Sequence, residues 1–86
     1  MPEISRFFGI VVAMFYNDHA PPHFHVTYGS QKAIISIDHA YVIGGQLSAR
    51  VLGLVVEWAT LHRQELLHNW DRARDLAPLE PIDPLE

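Results

Sequence analysis

The chain has 86 residues, 49% of them hydrophobic, with six lysines and arginines against ten acidic residues and a formal net charge of -4 at pH 7. That length holds one small domain and no second core, and the acidic balance disfavours duplex DNA, whose phosphates select basic proteins. The lack of cysteine excludes disulfide scaffolds, thiolate metal sites and cysteine nucleophiles, and no apolar run approaches the roughly 20 residues of a membrane helix, so a cytoplasmic protein with no membrane partner is expected.

Phe7 to Tyr16 is a near-continuous apolar run rich in β-branched and aromatic residues, the pattern of a buried central strand. Asn17-Asp18 ends it with turn chemistry, and Pro21-Pro22 cannot join a regular ladder. His23 to Tyr28 then alternates, with Phe24, Val26 and Tyr28 toward one face and His23, His25 and Thr27 toward the other. Gly29-Ser30 is a two-residue hairpin turn with glycine where φ > 0 is needed, and Gln31 to Asp38 is the returning strand. Counting from the turn sets Val26 opposite Ala33 and Phe24 opposite Ile35 on the core face. Behind them, Thr27 falls opposite Lys32, His25 opposite Ile34 and His23 opposite Ser36. A short arm, Tyr41-Val42-Ile43, follows, and Gly44-Gly45 is expected to end it.

From Ser48, a candidate N-cap, the period becomes helical. Val51, Val55, Trp58, Ala59, His62, Leu66 and Ala73 share one face, with Gly53, Glu57, Thr60, Gln64 and Asp71 opposite. The pattern runs to about Asp75, roughly 40 Å at 1.5 Å per residue, so a bend or split near Thr60–Arg63 is expected in so small a domain. Ala77-Pro78 ends it. The remaining residues form an extended, proline-punctuated tail whose Leu79, Ile82 and Leu85 are available to dock. The expected fold is α+β: a small antiparallel sheet of three to four strands packed on one long or bent C-terminal amphipathic helix. Residues 1–77 make the domain and 78–86 the tail. So small a core leaves apolar surface for a partner or a homo-oligomer to cover.

Candidate chemistry concentrates between Asp18 and His25. His23 and His25, two apart on one strand face, have Cα atoms about 6.6 Å apart. Imidazoles at that spacing can converge on one metal, each nitrogen about 2.0–2.1 Å from a zinc ion. One reading is therefore a site for Zn2+ or another divalent transition metal held by His19, His23 and His25, with Asp18 within reach. A second is histidine-dependent catalysis by His23 and His25 with Asp18, as in a ribonuclease or other phosphodiesterase. A third is structural, since an exposed strand face and an Asn-Asp-His-x-Pro-Pro turn accept these residues without any ligand, and a fourth is recognition of a protein partner. Asp38 is a candidate orienting carboxylate. His62, inside the apolar stripe, reads as a core histidine on the far side of the sheet from His23 and His25.

Three stretches carry a family resemblance. They are Pro2-Glu3-Ile4-Ser5-Arg6-Phe7-Phe8-Gly9-Ile10, Asn17-Asp18-His19-Ala20-Pro21-Pro22-His23-Phe24-His25-Val26, and Glu57-Trp58-Ala59 with Leu61-His62-Arg63 and Glu65-Leu66. Together they resemble the bacterial DUF4160 family, a domain of unknown function, over nearly the whole chain, with the Asp-His-x-Pro-Pro-His-x-His-Val stretch the most specific part. Asp38-His39-Ala40-Tyr41 departs from the glycine-containing turn expected there. Members are often encoded beside another small protein in an arrangement like a toxin–antitoxin pair. The resemblance thus implies a partner-binding component of a two-gene module, with a small protein encoded nearby as partner and RNA as a further ligand of the histidine segment. The competing class is a metal-binding or histidine-dependent hydrolase.

Overall fold

The apolar run that opens the chain is two strands rather than one. A computed structural model, which describes residues 2–86, divides it into β1 (Glu3–Phe7) and β2 (Ile10–Ala13). Phe8 and Gly9 form the two-residue turn between them, with φ of 50° and 80°. Both values lie in the left-handed region that such hairpins require, which a phenylalanine occupies only at a cost. The remaining elements are β3 (His23–Tyr28), β4 (Gln31–Ser36), β5 (Val42–Gln46), α1 (Ala49–Leu61) and α2 (Arg63–Arg74). The five strands form one antiparallel sheet in the order β1-β2-β3-β4-β5, one strand more than the largest number expected.

The β3–β4 hairpin follows the counted register throughout. Val26 faces Ala33, Phe24 faces Ile35, Thr27 faces Lys32, His25 faces Ile34 and His23 faces Ser36, and Gly29 in the turn has φ 58°. β5 departs from expectation, because Gly44 and Gly45 lie inside the strand instead of ending it. The β4–β5 register shifts between Ile34 and Ile35, and Gly45 has φ 74°. A Cβ there would lie 2.2 Å from the Lys32 carbonyl oxygen, so only glycine lets the edge strand bulge and stay paired.

Ser48 caps α1, its side chain accepting from the Val51 N–H. The helix breaks at His62, where φ -114° and ψ 25° leave helical geometry. That split falls inside the expected window, and it turns one 40 Å rod into two pieces that suit the sheet. Val51, Val55, Trp58 and Ala59 of α1 and Leu66, Asn69, Trp70 and Ala73 of α2 are buried. Trp58 is the centre of the core. It is fully buried, with its ring 5.4 Å from Phe7 and 5.8 Å from Phe24. Burying side chains of this size contributes about 1.5–3 kcal/mol each, or more for tryptophan.

The tail runs extended across this core and is held by named bonds. The Ile82 N–H donates to the Ile4 carbonyl at 2.8 Å, and the Trp58 indole N–H donates to the Asp83 carbonyl at 2.8 Å. The Asn69 amide brackets Glu80, donating to its carbonyl and accepting from its N–H, each at 2.8 Å. Ile82 and Leu85 of this strap are buried in the core. Among the described residues no helix is long and apolar enough to cross a membrane.

Candidate metal centre

The loop from Met14 to Pro22 is fastened at three points. Met14 is buried, the Asn17 N–H donates to the Ala73 carbonyl of α2 at 3.2 Å, and the Pro22 carbonyl accepts from the Ile37 N–H at 3.0 Å. The Ala20–Pro21 peptide is cis. Between these fixed points Asp18 turns back over the start of β3. Its Oδ2 lies 2.9 Å from His23 Nε2 and 3.3 Å from His25 Nε2, while its Oδ1 accepts from the His19 N–H at 2.8 Å.

Each ring is held by its surroundings. His23 Nδ1 lies 2.7 Å from the Pro21 carbonyl oxygen, and its ring packs 5.1 Å from Trp70 and 5.3 Å from the His25 ring. Phe15 meets His25 edge-on at 4.4 Å. The His23 side chain is 8% exposed, against 26% for His25 and 23% for Asp18, so the cluster opens to solvent on the His25 side. Burial pushes the Asp18 carboxyl up, but the His19 N–H and the two imidazoles outweigh it and hold the group below its ordinary value.

A carbonyl can only accept, so the 2.7 Å contact puts a proton on His23 Nδ1. In the neutral ring Nε2 then carries a lone pair aimed at a carboxylate oxygen, and only a cation between the two reconciles them. A second proton or a metal ion would serve. The spacing suits a metal. Ligands 2.0–2.1 Å from zinc sit about 2.9 Å apart at octahedral angles and about 3.4 Å apart at tetrahedral angles. The two separations from Asp18, 2.9 and 3.3 Å, fall within that range, and all three donor atoms lie within 4.8 Å of one another.

The other expected participants stand elsewhere. His19 has an exposed side chain and contributes only its backbone N–H to Asp18. Asp38 is 3.6 Å from Arg63 on the surface, so Asp18, not Asp38, is the carboxylate at the histidines. His62 pairs with Glu65 at 2.6 Å and lies against Trp58, on the helix-covered side of the sheet. His39 stacks on Tyr41, and His68 faces Glu80. Two neighbours of the cluster were not anticipated as such. Trp70 lies four residues beyond Leu66, so helical spacing buries it on the same side, but nothing in that spacing marks it as the wall behind His23. The Pro21 carbonyl carries no side-chain signal at all.

Fold and cluster together define a small α+β domain with two histidines and one carboxylate converging at one end of the sheet, His23 against Trp70 of α2 and His25 open to solvent. Residues 9–71, well over half of the chain, match the family described as Domain of unknown function (DUF4160), and the chain belongs to that family. No curated protein and no solved structure matches it.

Proposed function

We propose that the protein binds one divalent transition-metal ion, zinc first among those to test, through Asp18 Oδ2, His23 Nε2 and His25 Nε2. The observation that carries this reading is the engagement of both His23 nitrogens. A general acid or base needs a nitrogen facing its substrate, and His23 has none, with Nδ1 on the Pro21 carbonyl and Nε2 on Asp18. The same pair of contacts is what a metal ligand needs, since a carbonyl on the far nitrogen fixes the tautomer and the ring orientation. A nitrogen and oxygen donor set suits zinc, iron, nickel or manganese. Three protein donors leave positions for water or a ligand oxygen, the arrangement on which hydrolytic metal sites depend.

Protein purified without a histidine tag and equilibrated with zinc tests the reading by elemental analysis and calorimetry. One zinc per chain is expected in the wild type and none in the His23→Ala, His25→Ala double variant, with the variant still folded by circular dichroism. A wild type that takes up no zinc, nickel, cobalt, iron or manganese overturns it. The protein partner implied by the family resemblance is a separate proposal, tested by co-purification with the product of the neighbouring gene.

A further inference from the structure

The centre does not stand alone on its face of the sheet. Beside His25 lies an apolar-walled hollow of about 440 Å³, bordered by Phe15, Thr27, Lys32, Ile34 and Gly45. Its volume falls within the range of small-molecule sites, roughly 300–1,000 Å³. Its floor is Ile34, the cross-strand partner of His25. The next strand places Gly44 opposite Ile34, and a Cβ on Gly44 would touch the Ile34 side chain at 3.4 Å. At this position β5 therefore places no side chain beside Ile34, and a larger residue at Gly44 would pack against it.

The charge at the rim is distinctive. Lys32 is the only lysine in a chain of net charge -4, and it is exposed at the edge of this hollow. Because His25 pairs with Ile34, Lys32 is its diagonal neighbour on the same face, about 7–8 Å away at Cα. A flexible ammonium and the proposed metal thus flank one apolar pocket. A phosphate monoester, with about 1.5 to 2 negative charges at pH 7, matches two cations better than a singly charged carboxylate does.

We infer that this hollow binds a small aryl or alkyl phosphate, its apolar body against Phe15 and Ile34 and its phosphoryl oxygens between Lys32 and the metal centre. The approach of the phosphoryl group to the metal rests on the proposed centre; the anchoring by Lys32 and the apolar wall does not.

Phenyl phosphate is the probe, titrated into zinc-equilibrated and zinc-free protein by calorimetry and by NMR, with inorganic phosphate and benzyl alcohol as controls. Phenyl phosphate is expected to bind about tenfold more tightly than either control, and Lys32→Met to cost about tenfold, the scale of one charged hydrogen bond. Gly44→Leu, which fills the hollow, is expected to abolish binding while zinc uptake is retained. Protein that takes up zinc but binds phenyl phosphate no better than inorganic phosphate, or equally well as Lys32→Met, overturns the inference and leaves the metal reading intact. Binding of a single-stranded RNA with phenyl phosphate inert overturns it as well. If no metal is taken up, the metal reading fails alone, and the zinc-free titration decides the hollow. Resonance shifts at Phe15 and Ile34 that vanish in Lys32→Met support it, and their absence in the wild type overturns it.

Discussion

On the helix-covered face of the sheet, Val12, Phe24, Val26 and Ile35 lie at 0–1% exposure beneath Trp58 and Val55. On the other face their immediate neighbours Val11, His25, Thr27 and Ile34 stay half-buried. The same strands build both faces by simple alternation, yet one face holds most of the core and the other carries His25 and, where the end of that face meets Trp70 of α2, His23. The two are coupled by register. A slip of one residue would send Phe24 outward and His25 into the core, so the apolar face forbids the slip and thereby fixes where the histidines stand. Placement of the centre is thus a by-product of packing, completed by a loop that delivers Asp18.

The contrast can be broken from either side. Trp58→Ala strikes the covered face hardest. It should lower stability by about 3–5 kcal/mol in urea unfolding, a large part of what so small a domain has. Asp18→Asn strikes the open face. It is expected to weaken zinc at least about 100-fold, near 2.8 kcal/mol, while the urea midpoint of the metal-free protein moves far less than for Trp58→Ala. Asn69→Ala leaves both faces in place but releases the strap from Glu80. A loss of about 1–2 kcal/mol is expected from its two hydrogen bonds, with faster hydrogen exchange at the Ile82 amide.

Two smaller effects sharpen the same division. The Asp18 carboxyl is held below its ordinary value, so in metal-free protein it contributes stability above its unfolded value, near pH 4. That contribution is lost as pH falls through the lower folded value. Stability measured between pH 6 and 3 should therefore decline with acid more in the wild type than in Asp18→Asn. On the covered side, the Ser5 hydroxyl is buried without a hydrogen-bond partner among the described residues. Ser5→Ala should raise stability by up to about 1 kcal/mol, since it removes a desolvated polar group at little loss of packing.

The β3–β4 hairpin was legible because alternation and a glycine turn both point to one register. The helical stripe was legible for the same kind of reason, down to the break at His62. Phe8 hid the first turn, for a bulky aromatic in an unbroken apolar run argues for a continuing strand, and only its φ of 50° shows otherwise. Gly44-Gly45 misled in the opposite direction: the pair reads as a turn, whereas here it lies inside an edge strand beside a bulge. At the centre, Asp18, His23 and His25 were all candidates from the sequence, the histidines by their spacing and Asp18 by its place in the preceding loop. That His19 and Asp38 stay out of the cluster was not legible, because it depends on a backbone reversal between Asn17 and Pro22 that no periodicity encodes.

The strap has a consequence for the order of assembly. Every strand pairs with its neighbour in sequence, so each hairpin closes a short loop, and sheets of such local connectivity form comparatively fast. The bond from Ile82 to Ile4 instead closes almost the entire chain, and the entropy of closure grows with the logarithm of loop length. The strap therefore belongs to the last step of folding and the first step of opening. A chain lacking the strap still contains all five strands and the whole Asp18–His25 segment, so loosening the strap uncovers the core without removing any residue of the cluster.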